Sequence, residues 1–411
     1  MDFDDLPEDA EYRLSVRDFI AANTDRLAHS DGSYLSDPGR EIFEELRVSQ
    51  QVLYDGGYVG VTWPPEYGGV GGTVLQQAIV TEELSRAGIA GMANHIGLGM
   101  CGPTLLAHAS TDQKERYIAP LLRADAIWCQ LFSEPGGGSD VASLRTSAER
   151  RPDGSWVVNG QKVWTTWAQY SRYGILLART DRTVAKHRGL TMFVVDMQEP
   201  GVEVRPIRQM NGVSEYNEVF FDDVVISDSE RLGEVGEGWR VALTTLMNER
   251  LAIGGGGSEL GIRADVLVGQ TAKLIDNFSA DEQVLLRQSL GEILIDSFAA
   301  RYSGYRRLTE VATGRPPGPE ASAGKLSATR IGRASAAFGM RLLGREAVCS
   351  TTASGDWRWS MSQAMVPGMS IAGGTDEILR NILGERVLGL PAEPAAVPKP
   401  PQQQHTDGAG Q

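Results

Sequence analysis

Apolar residues recur at helical spacing through the first third of the chain. Ile42, Phe43, Leu46, Val52 and Leu53 form one such set, and Ile79, Val80, Glu83 and Leu84 another; a period near 3.6 predicts helices with one buried face. Glycine and proline clusters, Gly56-Gly57-Tyr58-Val59-Gly60 and Trp63-Pro64-Pro65-Glu66-Tyr67-Gly68-Gly69, read as loops between them. A further helix is predicted from Thr111-Asp112 through Tyr117, Ile118, Leu121 and Leu122. Near residue 126 the pattern changes to short β-rich runs: Trp156-Val157-Val158, Gly174 to Leu177, Leu190 to Val195, Val202 to Val204 and Val219 to Phe221. Turns such as Arg151-Pro152-Asp153-Gly154 separate these runs, leaving no room for crossover helices, so a mostly antiparallel barrel or sandwich is expected. Asn159-Gly160 reads as a type I′ hairpin turn. After Gly236-Glu237-Gly238-Trp239 the helical period returns and lasts to about residue 389; Ser279-Ala280-Asp281-Glu282 is a capping box, and Pro316-Pro317-Gly318-Pro319 breaks the bundle. The expected order is an N-terminal helical domain (1–125), a middle β domain (126–233), a helical bundle (234–390) and a Pro- and Gln-rich disordered tail (391–411).

Composition narrows the function classes. The chain has 411 residues, 41% of them hydrophobic and 22% charged, which is ordinary for a globular protein and sets a prior of two or three domains. A net charge of −14 argues against a nucleic-acid binder on electrostatic grounds. No apolar stretch approaches the ~18 residues of a membrane span, and the acidic start Met1-Asp2-Phe3-Asp4-Asp5 is not that of a signal peptide. Three scattered cysteines (Cys101, Cys129, Cys349) fit a reducing cytoplasm better than a disulfide framework, and with five histidines no metal site is expected.

Two segments carry the chemistry. Phe132-Ser133-Glu134-Pro135-Gly136-Gly137-Gly138-Ser139-Asp140 is a glycine-rich loop that no Gly-Lys-Ser/Thr follows, so it is not a phosphate loop. In Val158-Asn159-Gly160-Gln161-Lys162-Val163-Trp164-Thr165-Thr166, strand periodicity puts Trp164 and Thr166 on one face, an apolar plate beside a hydroxyl donor. Together these segments resemble the acyl-CoA dehydrogenase family. The same family's motifs are echoed at Trp63 to Gly69, Glu82 to Arg86, Arg231 to Trp239, Gly373-Gly374-Thr375-Asp376-Glu377-Ile378-Leu379-Arg380-Asn381 and Glu385 to Pro391, in the family's order and over nearly the whole chain. The resemblance implies an α+β fold: a helical domain, a middle antiparallel β-barrel domain and a C-terminal four-helix bundle. It implies FAD, held by Gln130, Leu131, Phe132, Ser133, Gly138 and Ser139, by Trp164, Thr165 and Thr166, and by Thr375, Asp376 and Glu377. It further implies that Ser139, Arg250 and Gly374 meet an acyl-CoA substrate.

The family removes an α proton from a thioester and passes hydride from the β carbon to flavin. That needs a carboxylate in a dry pocket, where burial raises a Glu to about pH 6–7. Many members carry it just before the Gly-Thr of the C-terminal motif, where this chain has Gly373. The alternative family position, on the first long helix of the bundle, is Glu249, followed by Arg250. Glu249 is the expected base, and Gly373 keeps a backbone N–H for the thioester oxygen. The run Gly254-Gly255-Gly256-Gly257 leaves room for a bulky or branched acyl group, close helix packing and a helix break being equally ordinary causes.

Two family motifs are missing. No Arg-x-x-Phe-Gly occurs around Val268 to Phe278, and Trp357 to Gly368 stands in place of a Gln-x-x-Gly-Gly-x-Gly stretch. Both serve a neighbouring subunit's flavin in the family. Their loss leaves two readings: FAD phosphates held by Arg263, Lys273 or Arg287, or a mixed complex in which only some interfaces hold flavin. The leading expectation is an enoyl-CoA-forming dehydrogenase, homo-oligomeric (dimer or tetramer) or in a mixed tetramer, with an electron-transfer flavoprotein as oxidant. The alternatives are a non-catalytic subunit of such a complex, and an oxidase or carrier-protein thioester desaturase on the same fold.

Overall fold

The structure, a computed structural model, describes residues 5–29, 39–254, 264–315, 318–349 and 357–392. Among the described residues five α-helices precede the sheet: α1 (Pro7–Ala22), α2 (Gly39–Asp55), α3 (Val74–Arg86), α4 (Gly102–His108) and α5 (Thr111–Leu122). The expected apolar faces are buried, with Leu53, Ile79, Val80, Ile118, Leu121 and Leu122 in one core and Phe43 and Leu46 in a second. Thr73 and Ser110 start α3 and α5 with reciprocal capping boxes, each satisfying an N–H left open by the first helical turn. Glu83, inside the α3 face, is buried because Arg13 and Arg17 of α1 bond its carboxylate at 2.8 and 2.7 Å.

A buried amide hub joins these helices to the sheet. Gln50 donates to the Leu122 carbonyl and accepts from the Asn94 N–H. Asn94 in turn donates to the carbonyls of Leu121 and Ala126 and accepts from the Trp128 N–H. The first strand therefore leaves the helical layer at a fixed point. The strands are β1 (Trp128–Leu131), β2 (Ser147–Arg150), β3 (Trp156–Thr166), β4 (Tyr173–Arg179), β5 (Leu190–Asp196), β6 (Val202–Pro206), β7 (Tyr216–Ile226) and β8 (Arg231–Leu232). They form one eight-stranded sheet in the order β6-β7-β3-β2-β4-β5-β8, with β1 added on β4. Pairing is antiparallel except where β4 meets β1 and β2.

The expected hairpin turn at Asn159-Gly160 is overturned. Both residues lie inside β3, at a register shift against β7. Asn159 instead exchanges two 2.9 Å hydrogen bonds with Asp223 across the pair. Glycine is required at 160 by crowding: a Cβ there would come within 2.5 Å of Thr146 Oγ1 and 2.7 Å of its Cα, at φ +153°. The backbone cannot rotate away as a side chain could, so Gly160→Ala is expected to cost about 1–3 kcal/mol of stability, measured by urea unfolding.

The remaining helices are α6 (Gly238–Gly254), α7 (Ala264–Leu274), α8 (Ala280–Ala312), α9 (Ser322–Leu343), α10 (Arg345–Cys349), α11 (Trp357–Met369) and α12 (Asp376–Ile382). Ser279 caps α8 through the expected box with Glu282. The helix α9 is the hub, packing against α6, α7, α8, α11 and α12. Gly339 lets the Trp359 ring of α11 lie on the α9 backbone, where a Cβ would stand 1.7 Å from Cε3. Toward the other domains α6 packs on β5, on α4 and on the π turn Gly97–Cys101. Two 2.8 Å bonds, Thr104–Thr245 and His108–Thr244, set the rotation of α6 about its axis just before Glu249. The tail from 393 and the glycines 255–257 lie outside the described residues. Among the described residues no helix is long and apolar enough to cross a membrane, and no group of His, Cys, Asp or Glu could hold a metal.

Candidate active site

At the end of β1 the chain turns through the glycine-rich loop. Glu134 and Gly137 exchange two 3.0 Å backbone hydrogen bonds that close the turn. The loop is anchored from below by Lys162 of β3, which is fully buried. Its Nζ donates to the Phe132 carbonyl at 3.0 Å and to Glu134 Oε1 at 2.9 Å. The N–H groups of Arg145 and Thr146 complete the carboxylate's shell at 2.7 and 2.9 Å. Burial pushes the Glu134 carboxyl up, but Lys162 and these donors outweigh it and hold it below the ordinary value. Burial also pulls the Lys162 ammonium down, to about 8, against the attraction of Glu134.

Ser133 sits between the two anchored residues, and its carbonyl accepts from the Val163 N–H at 2.9 Å. Its own side chain is half-buried, while Gly138 and Ser139 are exposed beyond it. A cavity of about 300 Å³ opens beside the loop, bounded by Gly136, Ser143, Arg145, Gly160 and Gln161.

The same strand, β3, presents an uncovered indole. Trp164 has φ +62° at the second register shift of β3 and is 58% exposed. Positive φ at a bulky residue is strained backbone that the surroundings must hold. Thr165 points inward, with a buried Oγ1 that has no partner, and Thr166 is half-buried. Next along the chain, Trp167 meets the His95 ring edge-on at 4.6 Å. Burial pulls His95 down to about 4, so it is neutral at pH 7. Burial also pushes Glu215, which precedes the Thr166 partner Tyr216, up to about 7.

Glu249 stands on α6, half-buried, and Gln130 of β1 donates from Nε2 to its Oε2 at 3.4 Å. The C-terminal loop is built on α9 instead. Gly373 and Gly374 adopt φ +66° and +90°. Fully buried Lys325 donates to the Gly374 carbonyl at 3.0 Å and to Asp376 at 3.1 Å. Thr375 caps α12 by accepting from the Ile378 N–H, and the Glu377 side chain is exposed.

Models of the acyl-CoA dehydrogenase N-terminal, middle and C-terminal domains match residues 7–125, 129–224 and 236–388. The chain is 35% identical to the acyl-CoA dehydrogenase IpdE1 of Mycobacterium tuberculosis, over 93% of this chain and 98% of that protein. The chain belongs to the acyl-CoA dehydrogenase family. It is also 39% identical to the acyl-CoA dehydrogenase FadE34 of the same organism, over 85% of this chain but only 46% of that longer protein. Among solved structures it resembles the Tcur3481-Tcur3483 steroid ACAD (TM-score 0.81, 26% identity, 96% of this chain and 100% of that one). The ChsE4-ChsE5 complex from Mycobacterium tuberculosis is similar (TM-score 0.80, 26% identity, the same coverage).

Within this family frame, the residues named from sequence for the cofactor and the C-terminal loop divide into three groups. Gln130, Ser133, Gly138, Ser139, Trp164 and Thr166 have surface on or beside the glycine loop and its covering strand. Leu131, Phe132, Thr165 and Asp376 bury their side chains, so any ligand would meet their backbone. Gly373, Gly374, Thr375 and Glu377 form the α9-held loop. The Arg250 side chain and Arg263 lie outside the described residues, while Lys273 and Arg287 are exposed on α7 and α8. Sequence reasoning missed Lys162 and Lys325. Their neighbours, Gly160-Gln161 before Lys162 and Gly324 and Ser327 around Lys325, are those of a surface lysine, so the local sequence carries no signal of burial.

Proposed function

We propose that the chain is an FAD-dependent dehydrogenase that converts an acyl-CoA thioester to its 2,3-enoyl thioester, with Glu249 as the base. The observation that carries this reading is the Glu249 carboxylate on α6 meeting Gln130 at the root of the glycine loop, in a chain whose other family base position is Gly373. The residues present suit a flavin: the uncovered Trp164 indole offers a flat apolar plate, and Ser133 is held rigidly next to open space at Gly136 and Gly138, where a Cβ would meet nothing within 4 Å. Ser133, Ser139, Trp164 and Thr166 would hold the ring, with Thr375 to Glu377 against the rest of the cofactor. Bound FAD supplies the acceptor for the β hydride.

This chain's own task is to move the α proton. Glu249 takes it from the α carbon, and the charge left behind spreads onto the thioester oxygen. The Gly373 N–H is one donor for that oxygen, and its left-handed backbone needs no carboxylate at that position. Arg250 and Ser139 would steer the CoA portion. The likeness to a protein described as a steroid ACAD supports a bulky acyl group. An electron-transfer flavoprotein would reoxidise the cofactor.

A second reading is favoured by the missing flavin-contact motifs and by the likeness to a two-component complex: the chain works in a mixed assembly with a related subunit. One experiment tests both. The purified chain is titrated anaerobically with acyl-CoAs of differing bulk while the flavin absorbance is followed. About one FAD per chain, bleached by substrate, is the expected result. A colourless chain that acquires flavin only with a partner supports the second reading, and a colourless, inert assembly sinks the first.

A further inference from the structure

Gln50 and Gln113 use both ends of their amides. Gln50 donates to Leu122 and accepts from Asn94, while Gln113 donates to Ser229 and Arg231 and accepts from Ser110. Gln130 does not. Its Oε1 is buried without a partner, and its Nε2 points to Glu249. A carboxylate only accepts, so the donor end of the amide has to face it. An unpaired buried oxygen works against stability. Leucine at 130 would fit the neighbouring pattern, in which Trp128, Cys129 and Leu131 are all buried. Gln130 therefore has an expense in folding that packing does not explain, and among the described residues its side chain hydrogen-bonds the carboxylate alone.

We infer that Gln130 is a positioning residue for Glu249, an inference that rests on Glu249 being the base. The neutral amide holds one carboxylate oxygen against β1 without placing a positive charge on it. A guanidinium in its place would hold the carboxylate more tightly but would also depress its basicity. The amide is fixed by the strand, whose start is pinned at the Asn94 hub. A base on a helix is thus aligned by a rigid element of another layer.

The test compares Gln130→Met and Gln130→Leu with Glu249→Gln in the holoprotein. Three readouts are taken: FAD content, the kcat and KM for an acyl-CoA, and washout of α-deuterium from that thioester into water. In both Gln130 variants kcat and washout should fall together, by about 10- to 100-fold, with KM changed less than about threefold and FAD retained. Glu249→Gln should abolish washout. Washout within twofold of wild type in Gln130→Met, alongside a dead Glu249→Gln, overturns the positioning role and leaves the base assignment standing. A Gln130→Met protein that loses FAD, with normal washout after reconstitution, also overturns it. Persistent washout in Glu249→Gln removes the base assignment itself.

Discussion

Glu249→Gln should retain FAD and bind thioester while its turnover falls by at least about 10²–10⁴-fold, the usual contribution of a positioned general base. The substitution keeps the shape of the side chain and removes only the proton acceptor. The loss should appear in kcat and in kcat/KM alike, because the interaction with the departing proton is made only in the transition state. Gly373 sharpens the prediction. In a relative with a second carboxylate at that position, losing the helix carboxylate could be covered by another group, and glycine gives this chain no such substitute. The converse variant, Gly373→Glu, should not rescue Glu249→Gln. Gly373 sits at φ +66°, which a side chain adopts only with strain, and the loop is tied to Lys325 rather than to α6. Stopped-flow reduction of the flavin measures both variants, and a Glu249→Gln protein bleached at the wild-type rate would remove this residue from the chemistry.

How much of this was legible beforehand depends on whether the signal is local. The capping box at Ser279 and the helical faces around Leu53 and Leu121 follow from spacing alone, and they form as expected. Asn159-Gly160 misled because its dipeptide is a turn signal only when the strand ends there. β3 continues, and glycine is needed for the close approach of Thr146. The candidate site was readable as motifs but not as geometry. Alternation pairs Trp164 with Thr166 on one face but does not say that the face is uncovered, and the left-handed backbone of Trp164 arises from a register shift between strands distant in sequence. The two lysines show the same limit. Lys162 and Lys325 resemble ordinary surface residues until the partners 28 and 51 positions away are brought to them.

Lys162→Met should therefore be the most damaging substitution for stability. It leaves Glu134 buried with its backbone donors but no countercharge, and removing one member of a buried pair typically costs about 3–5 kcal/mol. The flexible, isosteric methionine fills the space, so the loss is electrostatic and not a cavity. The pH dependence gives a further check. In the wild type the Glu134 carboxyl is held below its ordinary value of 4.5, so its contribution to stability is present above that pH and is lost as the pH falls through the lowered folded value. In Lys162→Met burial is opposed only by the Arg145 and Thr146 N–H bonds, so the carboxyl sits higher than in the wild type and acid costs the variant less. The gap between the two proteins in urea unfolding should be full near pH 7 and narrow below about pH 4.5. Adding Glu134→Gln to Lys162→Met should restore much of the stability at pH 7, since the neutral amide no longer strands a charge. FAD affinity should not recover with it. The ammonium also holds the Phe132 carbonyl, and without that bond Ser133 is fixed from one side only. Full recovery of both properties in the double variant would mean that the ion pair serves charge balance alone and does not shape the loop.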